Sequence, residues 1–220
     1  MIDRHPHDEL VLAYAAGTLP SGPAVVVGAH LEGCAHCRER VRLARSVGGA
    51  LLDEMEPVPL KVDALARVLA EIDAPATVAP APAPVTAPAA RPPLPPGVAW
   101  PRALRHGQVS RWRPLGPGMR WSRVSLPWDP EANVFLLRIG TGRSLPQHRH
   151  GGRELTQVLY GRFDDGRGEF GPGDFDEADG EVHHQPVVGP HQECICLTSV
   201  EGGMRFDGFI ARTLASVIGL

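Results

Sequence analysis

The sequence has no excess of positive charge. Its 220 residues carry 22 Lys and Arg against 25 Asp and Glu, a formal net charge of −3 and a pI near 6.4. Such a balance gives no general electrostatic drive toward nucleic acid, so direct DNA or RNA binding is not expected. Nor is there any run near the roughly 20 apolar residues that cross a bilayer, and no membrane association is expected. The first residues, MIDRHPHDE, are too polar and acidic for a secretory signal. A cytoplasmic protein is the expectation. Cysteine is scarce as well: four residues, in two close pairs, Cys34/Cys37 and Cys194/Cys196. In a reducing compartment such pairs read as metal or redox sites before structural disulfides.

What is present divides into three stretches. Residues 1–72 carry helical periodicity. Leu10, Val11, Tyr14 and Ala15 recur at helical spacing until Gly17. Ser21, Gly22 and Pro23 start a second helix through AVVVGAHLE that Gly33 closes. A third follows Cys34, with Val41, Ala44, Leu51, Leu52 and Met55 as its stripe and Pro57 as its stop. A fourth spans Val62 to Ile72, with Val62, Leu65, Leu69 and Ile72 on one face. Four short helices make a marginal core, which calls for a staple or a partner. Residues 73–97, DAPATVAPAPAPVTAPAARPPLPPG, read as an extended proline-alanine spacer. Residues 98–220 change grammar. Short apolar runs (NVFLLRI, LTQVLYG, ECICLTSV, MRFDGFIARTL) alternate with glycine and proline turns, the pattern of an all-β sandwich or barrel. Trp100, Trp112, Trp121 and Trp128 all fall here and read as core or edge packing.

Each half contains a cluster of metal-ligand residue types. In the first, His30, Cys34 and Cys37 are spaced H-x3-C-x2-C. Two thiolates at a helix start and an imidazole one turn earlier suit tetrahedral zinc, and a structural site needs a fourth protein ligand, which His5 or His7 could supply. A closed site of this kind would staple the small domain. His36, between the cysteines, is expected to point away. In the second cluster, His148 and His150 are two apart, so on extended chain both imidazoles face one space. Glu154 returns to that space after the Gly151-Gly152 turn. His183 or His184 could complete the set, but not both, because adjacent strand residues face opposite sides. Three histidines and a carboxylate accept zinc, iron, manganese or nickel. Cys194 and Cys196 lie on one strand face, either as plain core cysteines or as an oxidisable pair. His106 and His191 read as solvated.

The run from Gly142 through His148, His150 and Glu154 to Gly161 fits G-x5-H-x-H-x3-E-x6-G and resembles the first cupin motif at every fixed position. The second motif is looser, with Pro172-Gly173-Asp174 followed by a longer gap to His184. H-x3-C-x2-C with an upstream histidine resembles the zinc-binding anti-sigma domain. Together the halves resemble the ChrR family of anti-sigma factors, through RHPHDELVLAYAAGTL, EPVPL, RELTQVLYGRFDD and CICL. The resemblance implies an all-α four-helix zinc-binding domain at 1–72 and an all-β cupin (double-stranded β-helix) barrel at 98–220. It implies one structural Zn2+ on His5, His30, Cys34 and Cys37. It implies Zn2+ or another divalent transition metal on His148, His150, Glu154 and His184. It further implies inhibition of an extracytoplasmic-function sigma factor, relieved when the cupin senses singlet oxygen or a related oxidant such as an organic hydroperoxide. An apolar face around Leu10, Val11 and Tyr14 is the expected contact for the sigma factor. The alternative from another class is a cupin metalloenzyme, dioxygenase-like, with a zinc-binding helical appendage. A DNA-binding zinc module is a weaker third.

Overall fold

The computed structural model describes residues 2–74 and 91–206, except the side chains of His150 and of residues 204–206. The centre of the expected spacer and the C-terminal segment beyond Phe206 lie outside the described residues.

Four helices come first: α1 (Asp8–Ala16), α2 (Ser21–Gly33), α3 (Ala35–Asp53) and α4 (Ala64–Asp73). Gly17, at φ 72°, ends α1 in the left-handed cap conformation that glycine adopts without a Cβ penalty. Cys34 separates α2 from α3, and its Sγ accepts the Cys37 N–H across the first turn of α3. The strands are short: β1 (Gln108–Val109), β2 (Arg113–Gly116), β3 (Met119–Leu126), β4 (Asp129–Ile139), β5 (His148–His150), β6 (Glu154–Tyr160), β7 (Phe163–Asp164), β8 (Glu169–Phe170), β9 (Phe175–Ala178), β10 (His183–His184), β11 (Val187–Val188), β12 (Cys194–Val200) and β13 (Met204–Phe206). The large antiparallel sheet runs β1-β3-β4-β12-β6-β9, with β2 paired to β3. Two small sheets, β10-β5-β13 and β11-β7-β8, accompany it. The architecture is therefore four N-terminal helices followed by a β-rich C-terminal unit.

The core joins the halves. Helix α2 is buried nearly all round (Gly22, Pro23, Val25, Val26, Val27, Ala29, His30 and Leu31), as a helix apolar on every side must be. One side meets α1 and α3, the other β4, β6 and β12. Leu10, Val11, Val26 and Val27 share one cluster with Val134, Leu136, Leu155, Phe175 and Leu197 of the sheet. Contact is closest at Gly22, where a Cβ would lie 2.5 Å from the Ser199 hydroxyl. Glu32 accepts the backbone N–H groups of Arg102 and Ala103 at 2.9 and 2.7 Å, tying the end of α2 to the start of the C-terminal unit. The partner that the small helical unit needs is thus the sheet of the same chain.

This corrects the expected sigma-contact face. Leu10 and Val11 are core residues, almost wholly buried, and Tyr14 is half-buried against them. The exposed apolar surface lies elsewhere. The C-terminal half of α3 shows Leu43, Val47, Leu51 and Leu52 to solvent, and α4 shows Leu65, Val68, Leu69 and Ile72. No residue of α4 is buried. Of the tryptophans, Trp121 is buried, while Trp100 and Trp112 pack at the edge of the core. Trp128 is exposed.

Candidate metal centres

The first centre forms where the N-terminal segment passes the α2–α3 junction. One ligand atom each from His5, His30, Cys34 and Cys37 lies within 4.8 Å of the others. His5 Nδ1 is 3.4 Å from Cys34 Sγ and 3.5 Å from Cys37 Sγ. Zinc bonds of about 2.0–2.1 Å to nitrogen and about 2.3 Å to sulfur put the corners of a tetrahedron roughly 3.3–3.8 Å apart, so these separations suit one ion. His30 supplies the most telling atom. Its Nδ1 lies 3.0 Å from both Gln157 Oε1 and the Gly173 carbonyl, two acceptors that require the proton on Nδ1. Its Nε2 is buried and makes no hydrogen bond, which leaves a lone pair aimed into the cluster. A buried polar atom in that state costs free energy unless something occupies it. Burial also lowers the His30 pKa, against the opposing pull of the acceptors at Gln157 and Gly173, so the ring is neutral as a ligand must be. Burial, then the neighbouring Cys34, pushes the Cys37 thiol up to about 12. Metal entry therefore has to displace thiol protons.

The structure separates the two candidate histidines. His5 is in the cluster; His7 turns to Glu177, its Nδ1 at 3.2 Å from Oε2, with its side chain 81% exposed. His36 is exposed and outside the ligand group, its ring 5.0 Å from that of His5.

The second centre lies on β5, β6 and β10. In the β5–β10 pair His184 is opposite His148, and His183 opposite Arg149. Opposed residues share a face, so His148 and His184 turn inward together and His183 is left exposed. Both inward rings are locked by their other nitrogen. His148 Nδ1 donates to the Pro146 carbonyl at 2.9 Å, and His184 Nδ1 to Asp165 Oδ2 at 3.1 Å. Their Nε2 atoms then face each other at 3.2 Å. Two imidazole lone pairs converging at this distance, each ring anchored by an acceptor behind it, is the usual setting of a metal-bound histidine pair. Glu154 is buried beside them and accepts a hydrogen bond from Thr156. Burial raises its pKa to about 7, with His184 opposing the shift. The His150 side chain lies outside the described residues.

Behind His184, Asp165 and Asp176 are bridged by the Arg167 guanidinium. Burial opposes charge on Asp165, but hydrogen bonds from His184 and Arg167 outweigh it and hold its pKa at about 2. With a guanidinium already between the carboxylates, this trio reads as the support of His184 and not as a further ion site. Asp165, Arg167, Gln157 and Gly173 had no signal in the sequence beyond a turn at Pro172-Gly173-Asp174. Their roles depend on partners far along the chain.

Glu154, Thr156, Asp176, His184, Cys196 and Thr198 line a cavity of about 20 Å³. That holds about one water, whereas small-molecule sites occupy about 300–1,000 Å³. The dioxygenase-like alternative finds no substrate chamber there among the described residues. Cys194 and Cys196 are buried as free thiols, their sulfurs hydrogen-bonded at 3.6 Å with no disulfide between them.

Comparison with known proteins covers both halves. A family model described as the ChrR cupin-like domain matches residues 101–202, and a zinc-finger family model matches residues 8–38. The anti-sigma-E factor ChrR of Cereibacter sphaeroides is 41% identical over 211 residues, covering 96% of this chain and 95% of that protein. In the crystal structure of Rhodobacter sphaeroides SigE in complex with the anti-sigma ChrR, one chain aligns with a TM-score of 0.72 and 39% identity. The alignment covers 91% of this chain and all of that one. Among the described residues no single helix is long and apolar enough to cross a membrane.

Proposed function

The chain belongs to the ChrR family of anti-sigma factors, and from this premise we infer that it binds an extracytoplasmic-function sigma factor and withholds it from core RNA polymerase. It is a regulator and not an enzyme. The observation that carries this is the similarity running through both halves at once, 41% over 96% of the chain. Its site of action is the cytoplasm. The surface offered to the sigma factor is the apolar face of α4 with the exposed half of α3, since large apolar side chains left to solvent along a helix mark an interaction site.

His5, His30, Cys34 and Cys37 hold one zinc, which when bound supplies a tetrahedral node without redox chemistry. Cys34 and Cys37 fix the α2–α3 junction, His30 the last turn of α2, and His5 the N-terminal segment. His148, His150, Glu154 and His184 hold a divalent transition metal in the cupin-like unit, and zinc suits a sensor. That unit responds to singlet oxygen or a related oxidant, and its change of packing against α2 weakens the grip on the sigma factor.

The test is run-off transcription. Purified sigma factors of this class from the source cell are mixed one at a time with core polymerase, with and without the full chain. The chain should silence one of them, and illumination with a photosensitiser should restore transcription. Silencing of none at a tenfold excess of chain defeats the assignment. The second centre has its own test. Asp165→Asn weakens the acceptor that orients His184, so metal affinity there should fall about 10–100-fold. Metal content after dialysis against a graded chelator reads this directly, and a content equal to the parent's removes Asp165 from the role.

A further inference from the structure

The four zinc ligands are not held by the helices alone. The cysteines sit at the α2–α3 junction, but both histidines lean on the sheet. His5 belongs to a segment that lies along β9. Asp174 Oδ1 accepts the N–H groups of Asp3 and Arg4 at 2.8 and 3.1 Å. Phe175 N donates to the Arg4 carbonyl at 3.1 Å, and Glu177 Oε1 accepts the His7 N–H at 2.7 Å. The Arg4 guanidinium covers the Phe170 ring at 4.5 Å. Ile2 fits so closely over Gly173 that a Cβ there would come within 2.7 Å of it. His30 gives its Nδ1 proton to Gln157 on β6 and to the Gly173 carbonyl before β9, and its ring stands edge-on to Phe175 at 5.5 Å.

The same two strands back onto the second centre. Successive side chains of a strand point to opposite faces. On β6, Glu154 and Thr156 line the cavity beside His184, while Leu155 and Gln157 face α2 and His30. On β9, Asp176 lines that cavity, while Phe175 meets His30. Gln157 and Phe175 are register partners. The two centres therefore occupy opposite faces of one strand pair.

We propose that the zinc centre is a clasp between the two halves, in which Gln157, Gly173 and Asp174 of the sheet position His30 and His5 for the metal, so that zinc affinity and the docking of the helices on β6 and β9 are linked. The proposal rests on zinc being the ligand of His5, His30, Cys34 and Cys37. Linkage is reciprocal. Whatever shifts β6 and β9 from the side of Glu154 and Asp176 weakens the zinc centre, and loss of zinc frees the N-terminal segment from β9.

The experiment uses the zinc-loaded full chain. Zinc release to a chelating dye is timed for the parent, Gln157→Met, Gln157→Glu and Asp174→Ala. Groups that orient a metal-bound histidine typically contribute 10–100-fold in affinity. Gln157→Met and Asp174→Ala should therefore release zinc at least about tenfold faster. Gln157→Glu, which keeps an acceptor for the Nδ1 proton, should stay nearer the parent than Gln157→Met does. In the cobalt-substituted protein, Gln157→Met should also shift the visible ligand-field bands, which mere loosening of the fold leaves in place. In the other direction, stripping zinc from the parent should speed hydrogen exchange at the amides of Asp3, Arg4, His7 and Phe175. Folded variants with parental release rates, together with unchanged exchange at those amides after zinc removal, overturn the clasp while leaving the zinc centre intact. A parent chain that takes up no zinc overturns the zinc centre and the clasp with it.

Discussion

A full-length chain with Cys34→Ser and Cys37→Ser together should lose its N-terminal zinc and bind its sigma factor at least about 100-fold more weakly, a loss of about 2.7 kcal/mol. Serine hydroxyls are poor zinc ligands, and His5 and His30 alone cannot close a four-coordinate site. Structural zinc contributes about 10–16 kcal/mol of apparent binding free energy in small domains. Removing it leaves the buried Nε2 of His30 unpaired in a cluster that is no longer filled. Helix α2 keeps its packing on the sheet, because Val26 and Val27 belong to the common core. The damage falls on the start of α3, of whose residues only Cys37 and Val41 are buried, and on the N-terminal segment that carries His5. The α3 surface is half of the proposed sigma contact, so its orientation depends on the cysteines. Isothermal titration against the sigma factor, with zinc counted by mass spectrometry, gives both readouts. Parental affinity in a zinc-free, folded double variant would sink the idea that the zinc holds the binding surface.

Leu65→Asp combined with Leu69→Asp should abolish measurable sigma binding, with a thermal midpoint close to the parent's. Leu65 is 70% and Leu69 50% exposed, so neither supports the fold as it stands. Leu65, Leu69 and Ile72 recur at the i, i+4, i+7 spacing of one face of α4, and among the described residues nothing buries that face. An apolar helix stripe that buries no residue forms a stable helix poorly in isolation, and docking on a partner supplies what packing does not. Interface anchors of this kind contribute about 2 kcal/mol or more each. Placing a carboxylate at a desolvated contact adds a penalty of its own. Two substitutions together should therefore exceed a 1,000-fold loss, about 4 kcal/mol. Binding within tenfold of the parent would move the contact away from α4.

The sequence by itself determined the chemistry and the division of labour. H-x3-C-x2-C and H-x-H-x3-E are local patterns, so spacing alone states that three ligand groups can meet, and the proline-alanine stretch separates helical from strand periodicity. It could not determine what lies over each face. Leu10 and Tyr14 carry the same i, i+4 spacing as Leu65 and Leu69, yet α1 packs its pair into the common core with α3 and α2, while the second pair stays bare. Periodicity reports that a helix has an apolar side and is silent about its occupant. The completing histidines were open for a related reason. His5 lies beside the two sulfurs while Glu177 takes His7, and His184, not His183, has His148 as its register partner. Gln157 and Gly173 reach His30 across 127 and 143 residues. Contacts that far apart leave no spacing to read, and only the folded sheet, which packs α2 against β6, brings them to the imidazole.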